Sequence, residues 1–237
     1  MTTGGGVRLD RWLAQAGVGS RAESSKRVRR GEVTVDGETV TAPERRIEAT
    51  ARVAVGGLAV EPLPDVLVYH KPVGLLVTMD DPWGRATIAS VLGPRLAPNL
   101  HPVGRLDADT SGLLLFVSDG QLTQRLLHPR RGVEKEYLAE VSGEPPSDLA
   151  ERLAAGVPTA EGTHMARLVS SEGPKVRLVV TEGKHRMVRR MLANLGLPVT
   201  RLHRLRLGQV ELGDLAEGAL RPPTEQERQW LEGVRGG

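Results

Sequence analysis

The five residues "EPLPD" at 61–65 constrain this chain more than any other feature, because the patterns on their two sides belong to different architectures. Two prolines fix φ, remove two backbone donors and stiffen the segment, so neither a helix nor a central strand runs through it. On the N-terminal side the apolar residues fall in short helical and hairpin patterns. On the C-terminal side they fall in longer strand-like runs. The expected organisation is a small domain over 7–60, a linker over 61–65 and a larger domain over 66–230.

In the small domain, Leu9, Trp12, Leu13 and Ala16 recur at helical spacing, and Gly17 follows as a stop. Ser20 and Glu23 make an S-x-x-E capping box for a second helix that reaches Arg30 and ends at Gly31. Val33, Val35 and Val40 then alternate around Asp36-Gly37, the dipeptide of a two-residue hairpin turn. A further strand pair is expected in "ARVAVGGLAV" (51–60). The second helix is basic: "RAESSKRVRR" (21–30) holds five cations against one glutamate, and Lys26, Arg29 and Arg30 share one face. Such a face suits a polyanion.

Beyond the linker, strand-like runs recur at 66–71, 113–118, 136–141, 176–181 and 199–208, with helical patterns at 121–128, 147–155 and 185–195. "KPVG" (71–74) and "HPVG" (101–104) mark tight turns. A mixed sheet with flanking helices follows. Cysteine is absent, which excludes disulfides, thiolate catalysis and cysteine-ligated metals. No His or carboxylate cluster has convincing metal-ligand spacing, and no cofactor motif is evident, so neither a metal nor a cofactor is expected. The opening "MTTGGGVRLDRW" lacks the layout of a secretory signal, and no apolar run would span a bilayer. The expectation is a cytoplasmic protein that does not enter a membrane.

The stretch "GRLDADTSGLLLF" (104–116) sets two carboxylates and two hydroxyls directly before an apolar run. Asp107, Asp109, Ser111 and Gly112 match the opening of a calcium loop, but the twelfth position is Ser118 instead of a bidentate glutamate. "DTSG" (109–112) is similar to the aspartic-protease motif, but that dyad needs a second copy, and here Ser111 separates Thr110 from the glycine.

Over its full length, "HPVGRLDADTSGLLLFVSDGQLTQRLLHP" (101–129) resembles motif II of the pseudouridine synthases, in the branch acting on ribosomal RNA. "YHKPVGLLVT" (69–78) resembles motif I, "EKEYLAEV" (134–141) the segment with the active-site tyrosine, and "TEGKHRMVRRMLANLGLPVTRLHRLRLGQVEL" (181–212) motif III. Residues 8–40 resemble the S4 RNA-binding domain. The ordering is similar to the S4-containing branch of the small-subunit synthase A and the large-subunit synthases B and F. The resemblance implies an α+β chain: an S4 domain with an αα-hairpin and short strands, then a mixed α/β synthase domain on a mainly antiparallel sheet.

It also implies the site. Asp107 is the nucleophile, Tyr137 the tyrosine, and Arg189 the basic residue pairing with Asp107, although Arg190 is adjacent. Arg105, Lys71 and Leu207 are the implied substrate contacts, and Arg21, Lys26, Arg29 and Arg30 the RNA contacts of the small domain. At the usual glutamine position of motif III this chain has Met187. Pseudouridine formation breaks the N1–C1′ bond of a uridine and joins C5 to C1′, with no net redox change. An ionised carboxylate serves as nucleophile, a guanidinium keeps it ionised, and an aromatic face receives the flipped base. The implied partner is ribosomal RNA or a subunit precursor, met by a monomer. The ending at 201–227 looks closer to the small-subunit synthase, which points to 16S rRNA. A 23S rRNA synthase and a non-catalytic S4-type assembly factor are the alternatives.

Overall fold

The computed structural model describes residues 6–48, 50–61, 64–78, 81–93, 96 and 99–237. The chain divides into two units, residues 1–65 with 96–100, and residues 66–95 with 101–237. Of the segment read as a linker, Pro62 and Leu63 lie outside the described residues.

The first unit contains β1 (Val7–Arg8), α1 (Leu9–Gln15), α2 (Arg21–Arg29), β2 (Val33–Val35), β3 (Glu38–Val40), β4 (Arg46–Ile47), β5 (Val53–Val55) and β6 (Leu58–Val60). The capping box forms as read: the Glu23 amide donates to Ser20 Oγ at 3.3 Å, and Glu23 Oε2 accepts from the Ser20 amide at 2.7 Å. β2 and β3 pair in register around the Asp36-Gly37 turn, where both residues have the positive φ (53° and 88°) that a two-residue turn of this hand requires. The sheet order is β3-β2-β5-β6. Leu9, Trp12, Leu13 and Val28 of the helices pack on Val33, Val35, Val40 and Val53 of this sheet.

The second unit adds β7 (Val66–Lys71), α3 (Ile88–Leu92), β8 (His101–Pro102), β9 (Thr110–Val117), α4 (Gly120–Leu127), β10 (Lys135–Val141), α5 (Leu149–Ala155), β11 (Val157–Thr159), β12 (Gly162–His164), β13 (Arg167–Glu172), β14 (Lys175–Val180), α6 (Met187–Asn194), β15 (Val199–Leu207), β16 (Val210–Glu211), β17 (Leu220–Arg221) and α7 (Glu225–Gly236). Its main sheet runs β13-β14-β10-β15-β9-β7-β17, with β16 on β15 and β8 on β9. Every pairing is antiparallel except β15 with β9. Val66, Val68, Leu113, Leu115 and Val117 form one apolar core with Leu122 and Leu126 of α4 and Leu231 of α7. That clothes one face. The helix α7 runs past residue 230, where the sequence reading ended the domain.

The parallel junction is where a glycine is indispensable. Gly112 has φ +110°, and a Cβ there would lie 2.3 Å from the Arg204 carbonyl oxygen and 2.5 Å from its nitrogen. No side chain fits between β9 and β15 at this point, so Gly112 lets the two backbones meet.

Candidate active site

One row of residues across the sheet builds the floor of the site. Lys71 on β7 stands opposite Gly112 on β9, Gly112 opposite Arg204 on β15, and Arg204 opposite Tyr137 on β10. Facing partners in a sheet point to the same side, with Cβ atoms roughly 5 Å apart. Lys71, Arg204 and Tyr137 therefore project together, away from the apolar core of the other face. The loop before β9 rises above this row and carries Asp107. Arg105, Asp107, Lys135, Tyr137, Arg186 and Arg204 all line a cavity of about 780 Å³.

Asp107 is held by its backbone. Its carbonyl accepts the Thr110 amide at 3.0 Å, closing a turn, and accepts Lys71 Nζ at 3.2 Å. The Asp107 side chain retains 28% of its exposure and faces Arg186, whose Nη1 stands 3.9 Å from Oδ2. Asp109, two residues on, is differently placed: Arg186 grips it through two hydrogen bonds, of 3.0 and 2.7 Å. That fork holds the Asp109 carboxyl below the usual carboxylate range. Arg186 adopts a left-handed conformation, φ 51°, just ahead of α6. A non-glycine residue in that region costs about 1 kcal/mol or more and is kept where the surroundings demand it.

In this structure Arg189 is tied to Asp109 and not to Asp107. Its Nη2 donates to the Asp109 carbonyl at 2.7 Å and its Nη1 to the Val199 carbonyl at 3.2 Å, while its Nε lies 3.5 Å from the Asp109 carboxylate. Arg189 lies on the buried side of α6 with Met187, Val188, Met191 and Leu192, so it bolts the loop to β15 from beneath. Arg190, a further 100° round the helix, is bound to Glu161. The cation facing Asp107 is Arg186.

Two of the three implied substrate contacts are buried. Lys71 is fully buried, and its ammonium donates to the carbonyls of Pro72 (2.9 Å), Asp107 (3.2 Å) and Thr110 (2.8 Å). Three donors meet three acceptors, which leaves none for a ligand. Burial lowers its pKa to about 8, with Asp107 and Asp109 opposing the shift. Leu207 is buried in the apolar core with Val210, Leu212 and Leu231, off the cavity wall. Its strand contributes Leu202 and Arg204 to the wall in its place. Arg105, by contrast, is exposed at the cavity.

Sequence reasoning missed Arg186, Lys135, Arg204 and Trp83 as site residues. Trp83 is 76% exposed at the cavity, with the Arg85 guanidinium 5.0 Å from its ring centre. Asp81 fixes Arg85 by a 2.6 Å ion pair. Met187 is buried and lines the cavity, an apolar wall where the resembling motif has an amide. In the first unit, Lys26 and Arg29 project freely to solvent, Arg30 lies 3.7 Å from Glu32, and Arg21 is tied to Asp10 at 3.2 Å. Among the described residues no cluster of His, Cys, Asp or Glu could hold a metal ion, and no helix is long and apolar enough to cross a membrane.

Residues 65–194 match the family described as RNA pseudouridylate synthase, and residues 7–53 match the S4 domain. The chain is 38% identical to the ribosomal small subunit pseudouridine synthase A of Escherichia coli, over 93% of this chain and 98% of that one. It is 34% identical to the ribosomal large subunit pseudouridine synthase B of Bacillus subtilis, over 93% of both chains. A crystal structure of a pseudouridylate synthase, 29% identical, superposes with a TM-score of 0.65, covering 96% of this chain and 99% of that one.

Proposed function

The chain belongs to the RNA pseudouridylate synthase family, and we propose that it isomerises a specific uridine of ribosomal RNA, with Asp107 as nucleophile and 16S rRNA as target. The observation that carries this reading is the placement of Asp107: a carboxylate with its backbone locked, its side chain open to the cavity, and Tyr137 on the floor below. A nucleophile needs that combination of fixed position and free lone pairs.

Asp107 attacks the sugar at C1′ or the pyrimidine ring at C6, the N1–C1′ bond breaks with its electron pair passing to the base, C5 then bonds to C1′, and the bond to Asp107 breaks with its pair returning to the carboxylate. The C5 proton leaves and N1 gains one, so atoms and electrons balance without any external reagent. Tyr137 offers the base an aromatic face and a hydroxyl within the same wall. Arg186 holds one guanidinium between two carboxylates and favours the ionised form of Asp109. Arg105 and the exposed indole of Trp83 at the cavity suit phosphate and base contacts of a flipped-out nucleotide. The exposed cations of α2 supply non-specific affinity for the RNA backbone.

The choice of 16S rests on the similarity of residues 201–227 to the small-subunit synthase. The likeness to the Bacillus subtilis large-subunit enzyme supports 23S rRNA as the second reading. Pseudouridine mapping of both rRNAs from a deletion strain tests them: one site should disappear from 16S rRNA and return with the wild-type gene. Loss from 23S rRNA would move the target, and an unchanged map would overturn the enzymatic reading.

A further inference from the structure

Two buried cations of the cavity have no partner that explains them. Arg204 is 3% exposed and Lys135 is 5% exposed. Arg204 uses Nε on the Leu113 carbonyl at 2.7 Å, but its Nη2 is buried without a hydrogen-bond partner. Lys135 Nζ donates to the Val133 and Thr181 carbonyls at 3.0 and 3.3 Å. Among the described residues neither has a carboxylate within ion-pair distance. A buried unpaired guanidinium N–H is costly, and so is a pair of like charges sharing a dry wall. The electrostatic strain is visible in Lys135, whose pKa burial and then Arg204 lower to about 8. A fold keeps such an arrangement when a ligand supplies the missing negative charge.

We infer that Lys135 and Arg204 form a cationic subsite for a carbonyl oxygen of the pyrimidine, and that they stabilise the base while it carries negative charge. This deepens the proposed function and rests on it. The place is right, because Arg204 is the cross-strand neighbour of Tyr137, against whose ring the base would lie. The chemistry is right for each mode of attack. If Asp107 takes C1′, the N1–C1′ electron pair leaves with the base and spreads onto O2 and O4. If it adds to the ring at C6, the pair displaced from the C5–C6 bond spreads onto O4. Either way charge grows on a carbonyl oxygen and is absent from the bound uridine, so the two cations favour the transition state over the ground state. The Lys71 ammonium, although equally buried, cannot serve, because its three donors are committed to backbone.

The test is a cycle between protein donor and substrate acceptor. An rRNA fragment with the target as uridine, 2-thiouridine or 4-thiouridine is converted under single turnover by wild type, Arg204→Gln, Lys135→Gln and Lys135→Arg, with RNA affinity measured in parallel. Each glutamine variant should lose about 10²–10³-fold in rate with little change in affinity, the cost of removing one donor from a developing oxyanion. Lys135→Arg keeps the charge and should recover most of the rate. One thio substitution should slow wild type about tenfold, since sulfur accepts poorly from a charged donor, and should slow the glutamine variants far less. Fully multiplicative losses with normal wild-type conversion would show that both cations are structural and overturn this inference alone. Unmodified RNA left unconverted by wild type would overturn the functional reading as well. If Arg204→Gln fails to fold, the Lys135 cycle decides by the same outcomes.

Discussion

The cations of α2 and the cations of the β7–β9–β15–β10 row are the same residue types in opposite states. Those of α2 stand in water on a helix whose buried side carries only Ser24 and Val28. Those of the row are buried and bound to backbone carbonyls. Charges in water attract a polyanion from a distance, are screened by salt and can each be lost at small cost. Buried charges cost stability and act only on what enters the cavity, but they act there with the strength of a low-dielectric site. On the proposed function, the difference separates holding RNA from changing it.

Substitutions in the row should therefore be severe and salt-independent. Gly112→Ala places a Cβ inside the Arg204 backbone at a φ that alanine avoids, so we expect a loss of about 3 kcal/mol or more in denaturant unfolding and no measurable turnover. A soluble, active Gly112→Ala protein would mean that β9 and β15 are not in contact at that point.

Lys71→Met leaves three carbonyls of the Asp107 loop without a donor, and turnover should fall about 10²-fold. Its titration adds a pH signature. The folded pKa near 8 lies below the ordinary value of 10.5, so between these the unfolded chain holds the proton and the folded protein does not. Stability of wild type relative to Lys71→Met should rise from pH 8 to 10.5, while wild-type turnover falls as the loop loses a donor. Parallel curves for the two proteins would contradict the assignment.

Asp109→Asn weakens the fork on Arg186 without removing it, since the amide oxygen still accepts one hydrogen bond. A fall of about tenfold in single-turnover rate is expected, far short of that from Asp107. The smallest effect on turnover belongs to the first unit. Replacing Arg21, Lys26, Arg29 and Arg30 by alanine should leave the rate at saturating RNA nearly unchanged. The slope of log affinity against log salt should flatten by at most about 3 to 4. Arg21, already tied to Asp10, should contribute least of the four. An unchanged slope with a collapsed rate would break the division between the two regions.

The two regions also differ in how much the sequence discloses. In the first unit the capping box, the Asp36-Gly37 turn and the helical spacing of Leu9, Trp12 and Leu13 are local codes, and each forms where it reads. In the second unit the strands read correctly as runs, but β9 begins at Thr110, because the parallel pairing with β15 draws Ser111 and Gly112 into the sheet. The hairpin of β11 and β12 lacks a strong local signal, whereas α7 opens on a capping box, Thr224 with Glu227, that the sequence reading passed over. Motif order singles out Asp107, Tyr137 and Arg105, and all three line the cavity. It does not single out Arg186, Lys135 and Arg204, because their roles depend on the register of strands far apart in sequence and on a left-handed turn no spacing encodes. Lys71 and Leu207, named by the same motif order, are buried: a sequence shows that a residue lies in a motif, not which side of the sheet it faces.

The central claim is that Asp107 is the nucleophile, while the surrounding cations hold the loop, stabilise the base and bind the RNA. Single-turnover conversion by Asp107→Asn, with RNA binding and thermal unfolding measured on the same preparation, tests it most directly. Wild-type affinity and stability with no pseudouridine at any enzyme concentration is the predicted result. Turnover within about tenfold of wild type would contradict it, and would return the role to Asp109.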